Sequence, residues 1–186
     1  MRVISGSLKG RSINYIKNSN TRPLKDNVRE SIFNILKHSS VIKTKIENSN
    51  ILDLYSGIGS FGIESISRGA KKVTFIDENT EAINVLRGNL NKLSIINKSK
   101  IHGDKIENIL IKHVKEKYNI FFLDPPFSDY EFLNNLKLIK KRKIFDKNHI
   151  VVIHREKKSE DEFKDLLEVI EIKQYGRSKI IFGLIK

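Results

Sequence analysis

The chain has 186 residues, of which 39% are hydrophobic, and this composition favours one folded domain, with or without a small appendage, over a disordered chain. Cysteine is absent, which excludes disulfides, thiolate metal sites and cysteine nucleophiles, and no apolar run approaches the roughly 18–20 residues that cross a bilayer. The formal net charge is +13, which favours a polyanionic partner but also fits a solvated, lysine-rich surface.

The sequence predicts an N-terminal extension over residues 1–45 and a main domain over 46–186. Residues 1–20 are typical of a short hairpin or extended arm. From Asp26, a candidate N-cap, apolar residues recur at helix spacing, and a polar stretch over 43–50 is expected to link the extension to the main domain. The basic residues of the arm, which are candidate contacts for a polyanion, are Arg2, Lys9 and Arg11.

Strands and helices are predicted to alternate after the linker, which indicates a parallel sheet with right-handed crossovers. The turn over 174–177 is too short for a crossover helix, so the last two strands should pair antiparallel. The expected fold is therefore Rossmann-like α/β, with a mostly parallel seven-stranded sheet and an antiparallel final strand. This is the variant that methyltransferases dependent on S-adenosyl-L-methionine use. The predicted strands are 51–54, 72–77, 100–102, 118–124, 149–154, 168–173 and 179–185, and the predicted helices are 60–68, 81–90, 106–114, 132–140 and 160–167.

A glycine-rich turn, G-x-G-x-x-G at residues 57–62, follows the first of these strands. Glycine permits positive φ and lets a ligand approach the backbone closely, so the motif by itself also fits a dinucleotide. Asp53 at the end of the strand would repel a pyrophosphate, whereas it suits a ligand that carries an ammonium and a sulfonium. S-adenosyl-L-methionine (AdoMet) is such a ligand. The alternative is that Asp53 only caps the turn or the next helix.

Two further acids follow the second and third predicted strands. Asp77 can accept hydrogen bonds from both hydroxyls of a ribose, a group that NAD and AdoMet share. Asp104, which follows Gly103, could accept from an adenine amino group, or it could cap the helix that begins near Lys105. Both interpretations of Asp104 remain open from the sequence.

The most specific signal is an apolar strand that ends in Asp-Pro-Pro-Phe at residues 124–127. The amino nitrogen of a nucleobase is a poor nucleophile, because its lone pair is delocalised into the ring. The Asp124 carboxylate and the Pro125 carbonyl could hold its two hydrogens and turn the lone pair toward a methyl donor, and Phe127 could stack on an extruded base. The alternative is a buried strand that ends in a rigid turn.

With these motifs in place, the chain resembles the RsmD family of bacterial 16S rRNA guanine-N2 methyltransferases. The resemblance runs nearly end to end, and its N-terminal part is narrower in distribution than the Asp-Pro-Pro-aromatic motif. The chain departs from the family pattern at Ile58 and at residues 153–156, where the family often has an acid and this chain has Ile-His-Arg-Glu. The matching segments are 2–6, 9–11, 21–23, 26–30, 53–62, 67–70, 124–127 and 175–176.

The resemblance implies AdoMet as cofactor and, as partner, 16S rRNA, free or in an assembling small-subunit particle. The implied cofactor contacts are Asp53, Tyr55, Ser56, Gly57, Gly59, Asp77, Glu78, Gly103 and Asp104. The implied catalytic residues are Asp124, Pro125, Pro126 and Phe127. The expected RNA contacts are Arg2, Lys9, Arg11, Arg22 and Arg29.

Several rival functions stay open from the sequence. The same chemistry could act on another RNA or on DNA, and a protein of another class would bind nucleic acid without catalysis. An NAD-dependent dehydrogenase is disfavoured by the Asp53 charge. The five histidines form no metal-ligand spacing and are expected to serve packing, so no metal is predicted. A cytoplasmic monomer without a membrane segment is the simplest expectation.

Overall fold

The computed structural model describes residues 1–16 and 24–186. After the first helix, strands and helices alternate as far as the fifth strand, and two further strands follow it directly. The helices are α1 (Asp26–His38), α2 (Ser60–Ser67), α3 (Thr80–Lys92), α4 (Ile106–Lys112) and α5 (Phe132–Arg142). The strands are β1 (Asn50–Leu54), β2 (Lys72–Ile76), β3 (Ser99–His102), β4 (Tyr118–Leu123), β5 (Phe145–Glu156), β6 (Leu167–Tyr175) and β7 (Ser178–Ile185).

The seven strands form one sheet in the order β3-β2-β1-β4-β5-β7-β6. Neighbours from β3 to β5 pair parallel, and β7 pairs antiparallel with both β5 and β6. This confirms the predicted Rossmann-like fold, including the antiparallel final strand. The chain winds outward from β1 to β3 and then crosses to β4 on the other side of β1. A crevice at the carboxyl ends of the strands is expected where the strand order reverses in this way.

Each face of the sheet carries its own apolar layer. The arm, α1, α2 and α3 pack on one face, and α4 and α5 pack on the other. A stack of three aromatic rings joins the first layer to the sheet: Phe61 of α2 lies 4.9 Å from Phe33 of α1 and 4.0 Å from Phe122 of β4, between ring centroids. The expected extension therefore shares a hydrophobic core with the sheet.

The N-terminal arm is a hairpin docked on α2, with an antiparallel bridge between Arg2 and Ser12. The buried Glu64 carboxylate accepts hydrogen bonds from the amides of Ile4 at 2.7 Å and Ser5 at 2.9 Å. Gly6 has a φ of +85°, and a Cβ there would lie 2.0 Å from the Ser67 carbonyl oxygen, so no other residue fits. The arm is thus fixed to the helix that follows the glycine turn.

One predicted helix, 160–167, is wrong. This segment has no regular structure before Leu167, where β6 begins. The side chain of Asp161 is fully buried, and it accepts hydrogen bonds from Arg155 Nε at 3.1 Å and Ser159 Oγ at 2.7 Å. These bonds hold the segment against the end of β5 and exclude a helical path. Within the described residues, no helix is long and apolar enough to cross a membrane.

Candidate active site

A cleft of about 1660 Å³ opens at the carboxyl ends of β1, β2 and β4. Its volume exceeds the roughly 300–1,000 Å³ of a pocket for one small molecule, so two ligands could lie in it side by side. The glycine turn and residues 124–127 both line it. Parallel pairing explains this meeting, because Leu54 and Leu123 are partners in the register of β1 and β4. The predicted cofactor residues that line the cleft are Tyr55, Ser56, Gly57, Asp77 and Glu78.

Two of the three glycines in the turn, Gly57 and Gly59, have different surroundings. Gly57 has a φ of +51° and open space where a Cβ would stand, so a ligand can approach its backbone closely. Gly59 has a φ of +85°, and a Cβ there would lie 2.3 Å from Leu86 of α3, so this glycine serves helix packing. The hydroxyl of Ser56 is buried and has no hydrogen-bond partner among the described residues. Because buried polar groups are normally paired, this hydroxyl fits a polar ligand in the cleft.

Asp77 joins the end of β2 to the glycine turn. Its Oδ2 accepts a hydrogen bond from the Gly57 amide at 2.7 Å, and its Oδ1 accepts one from the Asn79 amide at 2.9 Å. An ionised carboxylate offers about four lone-pair sites, so capacity remains for the two hydroxyls of a ribose. Glu78 follows it and is exposed at the cleft.

Tyr55 begins the turn in the left-handed region, with a φ of 60°. Its hydroxyl accepts a hydrogen bond from Asn135 of α5 at 3.0 Å. Burial raises the pKa of Tyr55, and the nearby Asp129 carboxylate raises it further, so the side chain remains a neutral phenol. This contact couples the glycine turn to α5, the helix that follows residues 124–127.

Asp53 lies beneath the turn and does not line the cleft. It is 1% exposed, and its Oδ2 accepts a hydrogen bond from the Gly62 amide at 3.0 Å, in the first turn of α2. Burial raises the pKa of Asp53 well above its ordinary value; the Gly62 amide opposes this, and the charges of Asp124 and Asp77 add to it. The expectation of a direct contact with the cofactor is therefore wrong for Asp53, and the capping alternative describes its position.

Asp104 and Gly103 are exposed and lie outside the lining of the cleft. Asp104 Oδ1 accepts hydrogen bonds from the Lys105 amide at 2.6 Å and from Asn108 Nδ2 at 3.1 Å. The Asn108 bond and then the Lys105 amide lower the pKa of Asp104. The N-cap of α4 is Lys105, and Asp104 accepts no hydrogen bond from an amide of α4 itself, so these bonds hold the turn before the helix. The adenine contact stays a prediction.

The segment over residues 124–127, which is predicted to be catalytic, begins where β4 ends. The Asp124 side chain is half-buried, Pro125 is buried, and Phe127 is 39% exposed at the cleft. Asp124 Oδ1 lies 2.7 Å from Nδ1 of His154, and the rings of His154 and Phe127 meet edge to face at 5.5 Å. The packing predicted for His154 describes its buried ring on β5, but the sequence did not reveal that it also lines the cleft beside Asp124.

Arg155 of β5 holds the backbone of the same segment. It is fully buried, and it donates hydrogen bonds to the carbonyls of Pro126 at 3.1 Å and Phe127 at 3.2 Å. Its Nε donates to the buried Asp161 carboxylate at 3.1 Å, and its guanidinium lies 4.6 Å above the Phe132 ring. Sequence reasoning missed this role, although a basic residue at the end of a strongly apolar strand was a usable signal.

Comparison with known proteins agrees with this geometry. The sequence model of the family described as "Conserved hypothetical protein 95" matches residues 1–183. The chain belongs to this family, the RsmD family. It is 33% identical to the Bacillus subtilis (strain 168) protein YlbH over 162 residues, which are 86% of this chain and 85% of that protein. It is 35% identical to ribosomal RNA small subunit methyltransferase D of Buchnera aphidicola subsp. Baizongia pistaciae over 156 residues, 84% of this chain and 76% of that protein.

Solved structures share the fold. The Escherichia coli protein yhhF superposes with a TM-score of 0.85 at 22% identity, covering 100% of this chain and 98% of that one. Magnesium protoporphyrin IX methyltransferase from Synechocystis PCC 6803, solved with bound SAM, superposes with a TM-score of 0.64 at 12% identity, covering 86% of this chain and 79% of that one. Membership of the RsmD family and the methyltransferase type of fold, both expected from the sequence, are confirmed.

The five RNA contacts expected for an RsmD-family protein have different surroundings. Arg2, Lys9 and Arg11 are exposed on the arm but do not line the cleft, and Arg22 lies outside the described residues. The basic residues that do line the cleft are Lys25, Lys105, Lys137, Lys141 and Arg177. Tyr15 of the arm, 51% exposed, adds an aromatic ring to the same lining.

The expectation that Arg29 contacts RNA is wrong, because this side chain is fully buried. It donates hydrogen bonds to the Arg2 carbonyl at 2.7 Å and to Asp26 Oδ1 at 3.0 Å, and its Nε lies 4.0 Å from Glu64. Burial lowers the pKa of Arg29, although the Asp26 and Glu64 charges oppose this. Arg29 therefore ties the arm to α1 and α2. Within residues 1–16 and 24–186, no group of three or more His, Asp or Glu could hold a metal ion.

Proposed function

We propose that this protein transfers a methyl group from AdoMet to the exocyclic N2 amino group of a guanine in 16S rRNA during small-subunit assembly. The observation that carries the proposal is the meeting of the glycine turn and the Asp124 carboxylate in one cleft large enough for both reactants. The Buchnera relative named ribosomal RNA small subunit methyltransferase D supports ribosomal RNA as the substrate class. The RsmD resemblance supports guanine N2, 16S rRNA and a cytoplasmic location.

The residues at the glycine turn fit AdoMet. The unpaired Ser56 hydroxyl, the open backbone at Gly57 and the Asp77 carboxylate would hold its polar groups. When bound, AdoMet supplies an electrophilic methyl group on a cationic sulfur. The carboxylates of Asp77 and Asp124 line the cleft, so this site concentrates negative charge in a chain whose net charge is +13. That field favours a cationic ligand over a pyrophosphate.

The opposite side of the cleft fits an amino group. Asp124 Oδ1 is hydrogen-bonded to Nδ1 of His154. No described residue donates a hydrogen bond to Asp124 Oδ2 or to the Pro125 carbonyl. These two acceptors would bind the two hydrogens of the amine and orient its lone pair along the cleft. Positive charge grows on the nitrogen as it attacks, and a preplaced carboxylate stabilises that charge without reorganising. The proton becomes acidic once the methyl is transferred, so Asp124 need not be a strong base.

The rim of the cleft fits an RNA strand with an extruded base. Phe127 and Tyr15 offer rings on which a base could stack, and such stacking is worth about 1–3 kcal/mol per base. Lys137 and Lys141 lie one turn apart on α5 and face the cleft, where they would contact phosphates. These two lysines of α5 thus lie beside the proposed entrance.

Mass mapping of rRNA tests the proposal. Small-subunit particles and naked 16S rRNA from cells that lack this protein are incubated with the purified protein and isotopically labelled AdoMet. We expect one new N2-methylguanine in 16S rRNA. Duplex DNA and 23S rRNA serve as controls, because methylation of either at an equal rate would contradict the proposed substrate. No methylation of any of these would contradict the enzymatic assignment.

A further inference from the structure

We propose that His154 is a positioning residue that fixes the Asp124 carboxylate for the incoming amine. Its Nδ1–H would hold Oδ1 so that Oδ2 faces the cleft. This inference rests on the proposed function, since it assigns Asp124 to the amine. It concerns a contact between two residues 30 positions apart, and the contact can be measured without any substrate.

Strand register brings the two side chains together. Leu123 of β4 and Ile153 of β5 are parallel partners, so the next residues, Asp124 and His154, lie side by side where the pairing of β4 with β5 ends. His154 itself stays in β5, paired with Ile180 of β7. Arg155, the residue after His154, is locked by the carbonyls of Pro126 and Phe127 and by Asp161. The backbone that carries His154 is therefore fixed on both sides, and its imidazole is held at 2.7 Å from Asp124 Oδ1.

The position of the proton follows from the chemistry of the pair. An ionised carboxylate only accepts hydrogen bonds, so Nδ1 of His154 must carry the hydrogen between them. Nε2 is buried and has no partner within the described part of the chain. The ring lies against Phe127 in an edge-to-face contact, which resists rotation that would withdraw Nδ1. A hydrogen bond to a charged acceptor is among the strong ones in proteins.

The consequence for catalysis is orientation. A carboxylate without a donor rotates about χ2 over a broad range, so its oxygens would spread over many directions. With Oδ1 fixed, Oδ2 and the Pro125 carbonyl form a constant pair of acceptors for the amine. Misplacing a reacting group by about 1 Å can lower the rate ~100-fold. Loss of the Nδ1 donor should therefore lower the rate of transfer and leave the binding of AdoMet unchanged.

Two substitutions separate the ring nitrogens. His154→Asn places an amide N–H close to the position of Nδ1, whereas His154→Gln places one close to Nε2. We expect His154→Asn to transfer methyl groups within about threefold of the parent rate, and His154→Gln and His154→Ala to be ~10- to 100-fold slower in single turnover. The Kd of AdoMet, measured by calorimetry, should change less than twofold in all three.

His149 provides a matched control on the same strand. It is also buried, its Nδ1 bonds the Asp146 carbonyl at 2.8 Å, and its Nε2 accepts from the Ile185 amide at 2.9 Å. It does not line the cleft. His149→Ala should lower the thermal unfolding temperature without slowing transfer by the folded enzyme.

A second readout needs no methyl acceptor. In ¹⁵N-labelled protein, the ring nitrogen shifts of His154 should show a protonated Nδ1, and this signature should disappear in Asp124→Ala while that of His149 stays. An unprotonated Nδ1 in the parent would overturn the proposal even if the variants fold poorly. Equal rates of methyl transfer in folded His154→Asn and His154→Ala would also overturn it. So would a higher rate in His154→Gln than in His154→Asn, because this would assign the role to Nε2. If no RNA is methylated, the proposed function fails, but the spectra still decide the contact.

Discussion

Removing Arg155 gives the sharpest test of how the catalytic segment is held. Arg155→Met keeps much of the side-chain volume but leaves Asp161 buried without its main counter-charge. Breaking a buried pair from one side costs about 3–5 kcal/mol. Asp161 keeps Ser159 Oγ at 2.7 Å and Lys179 Nζ at 3.8 Å, so we expect the lower end, about 3 kcal/mol of unfolding free energy. The carbonyls of the 126–127 turn also lose their donors, so transfer should slow by ~100-fold.

The double variant Arg155→Met with Asp161→Leu separates stability from positioning. Removing both charges abolishes the uncompensated carboxylate, so unfolding in urea should return to within about 1 kcal/mol of the parent. The donors to the turn are still missing, so the rate of methyl transfer should remain low. A loss below 1 kcal/mol in Arg155→Met would refute the buried ion pair. Full turnover in the double variant would refute the positioning of the turn by Arg155.

Three other variants test other parts of the account. Ser56→Ala should raise the Kd of AdoMet, measured by calorimetry, by roughly three- to tenfold. It should not lower the melting temperature of the free protein, because the lost hydroxyl has no hydrogen-bond partner among the described residues. The raised pKa of Asp53 means that the folded protein binds this proton more tightly than the unfolded chain, so stability falls as pH rises above the ordinary carboxyl range. In urea unfolding, Asp53→Asn should therefore become more stable relative to the parent as pH rises above the ordinary carboxyl range, by at most ~1.4 kcal/mol per pH unit. A stability difference that stays constant with pH would contradict the raised pKa. Lys137→Ala with Lys141→Ala should flatten the salt dependence of RNA binding by a slope of roughly 1–2, and an unchanged slope, equal to that of Lys147→Ala at the start of β5, would remove them from the interface.

The fold could be predicted because its signals are local. Apolar runs of strand length separated by helix-period segments define the parallel sheet, and the short turn over 174–177 defines the antiparallel ending. The predicted helix 160–167 failed because Asp161, polar in sequence, is buried by a partner on β5. Local patterns do not reveal that such a residue is inside.

The site was predictable where a motif is contiguous, as at residues 124–127. It was not predictable where burial depends on distant elements. Arg29 was expected at the RNA from the family resemblance, yet its partner Glu64 lies on another helix and holds it in the core. Asp53 lies next to the last residue of β1, close to the strand end as expected, but it is buried beneath the glycine turn and does not line the cleft. His154 became part of the site only through the pairing of β4 with β5.

Asp124→Asn tests the central claim most directly, because it keeps the shape of the side chain and replaces an acceptor-only carboxylate with a neutral amide. The Kd of AdoMet by calorimetry and the single-turnover rate of methyl transfer are measured on the same folded preparation. We expect a Kd within about twofold of the parent and a rate lowered at least ~100-fold. A variant that transfers methyl groups at the parent rate would contradict this claim.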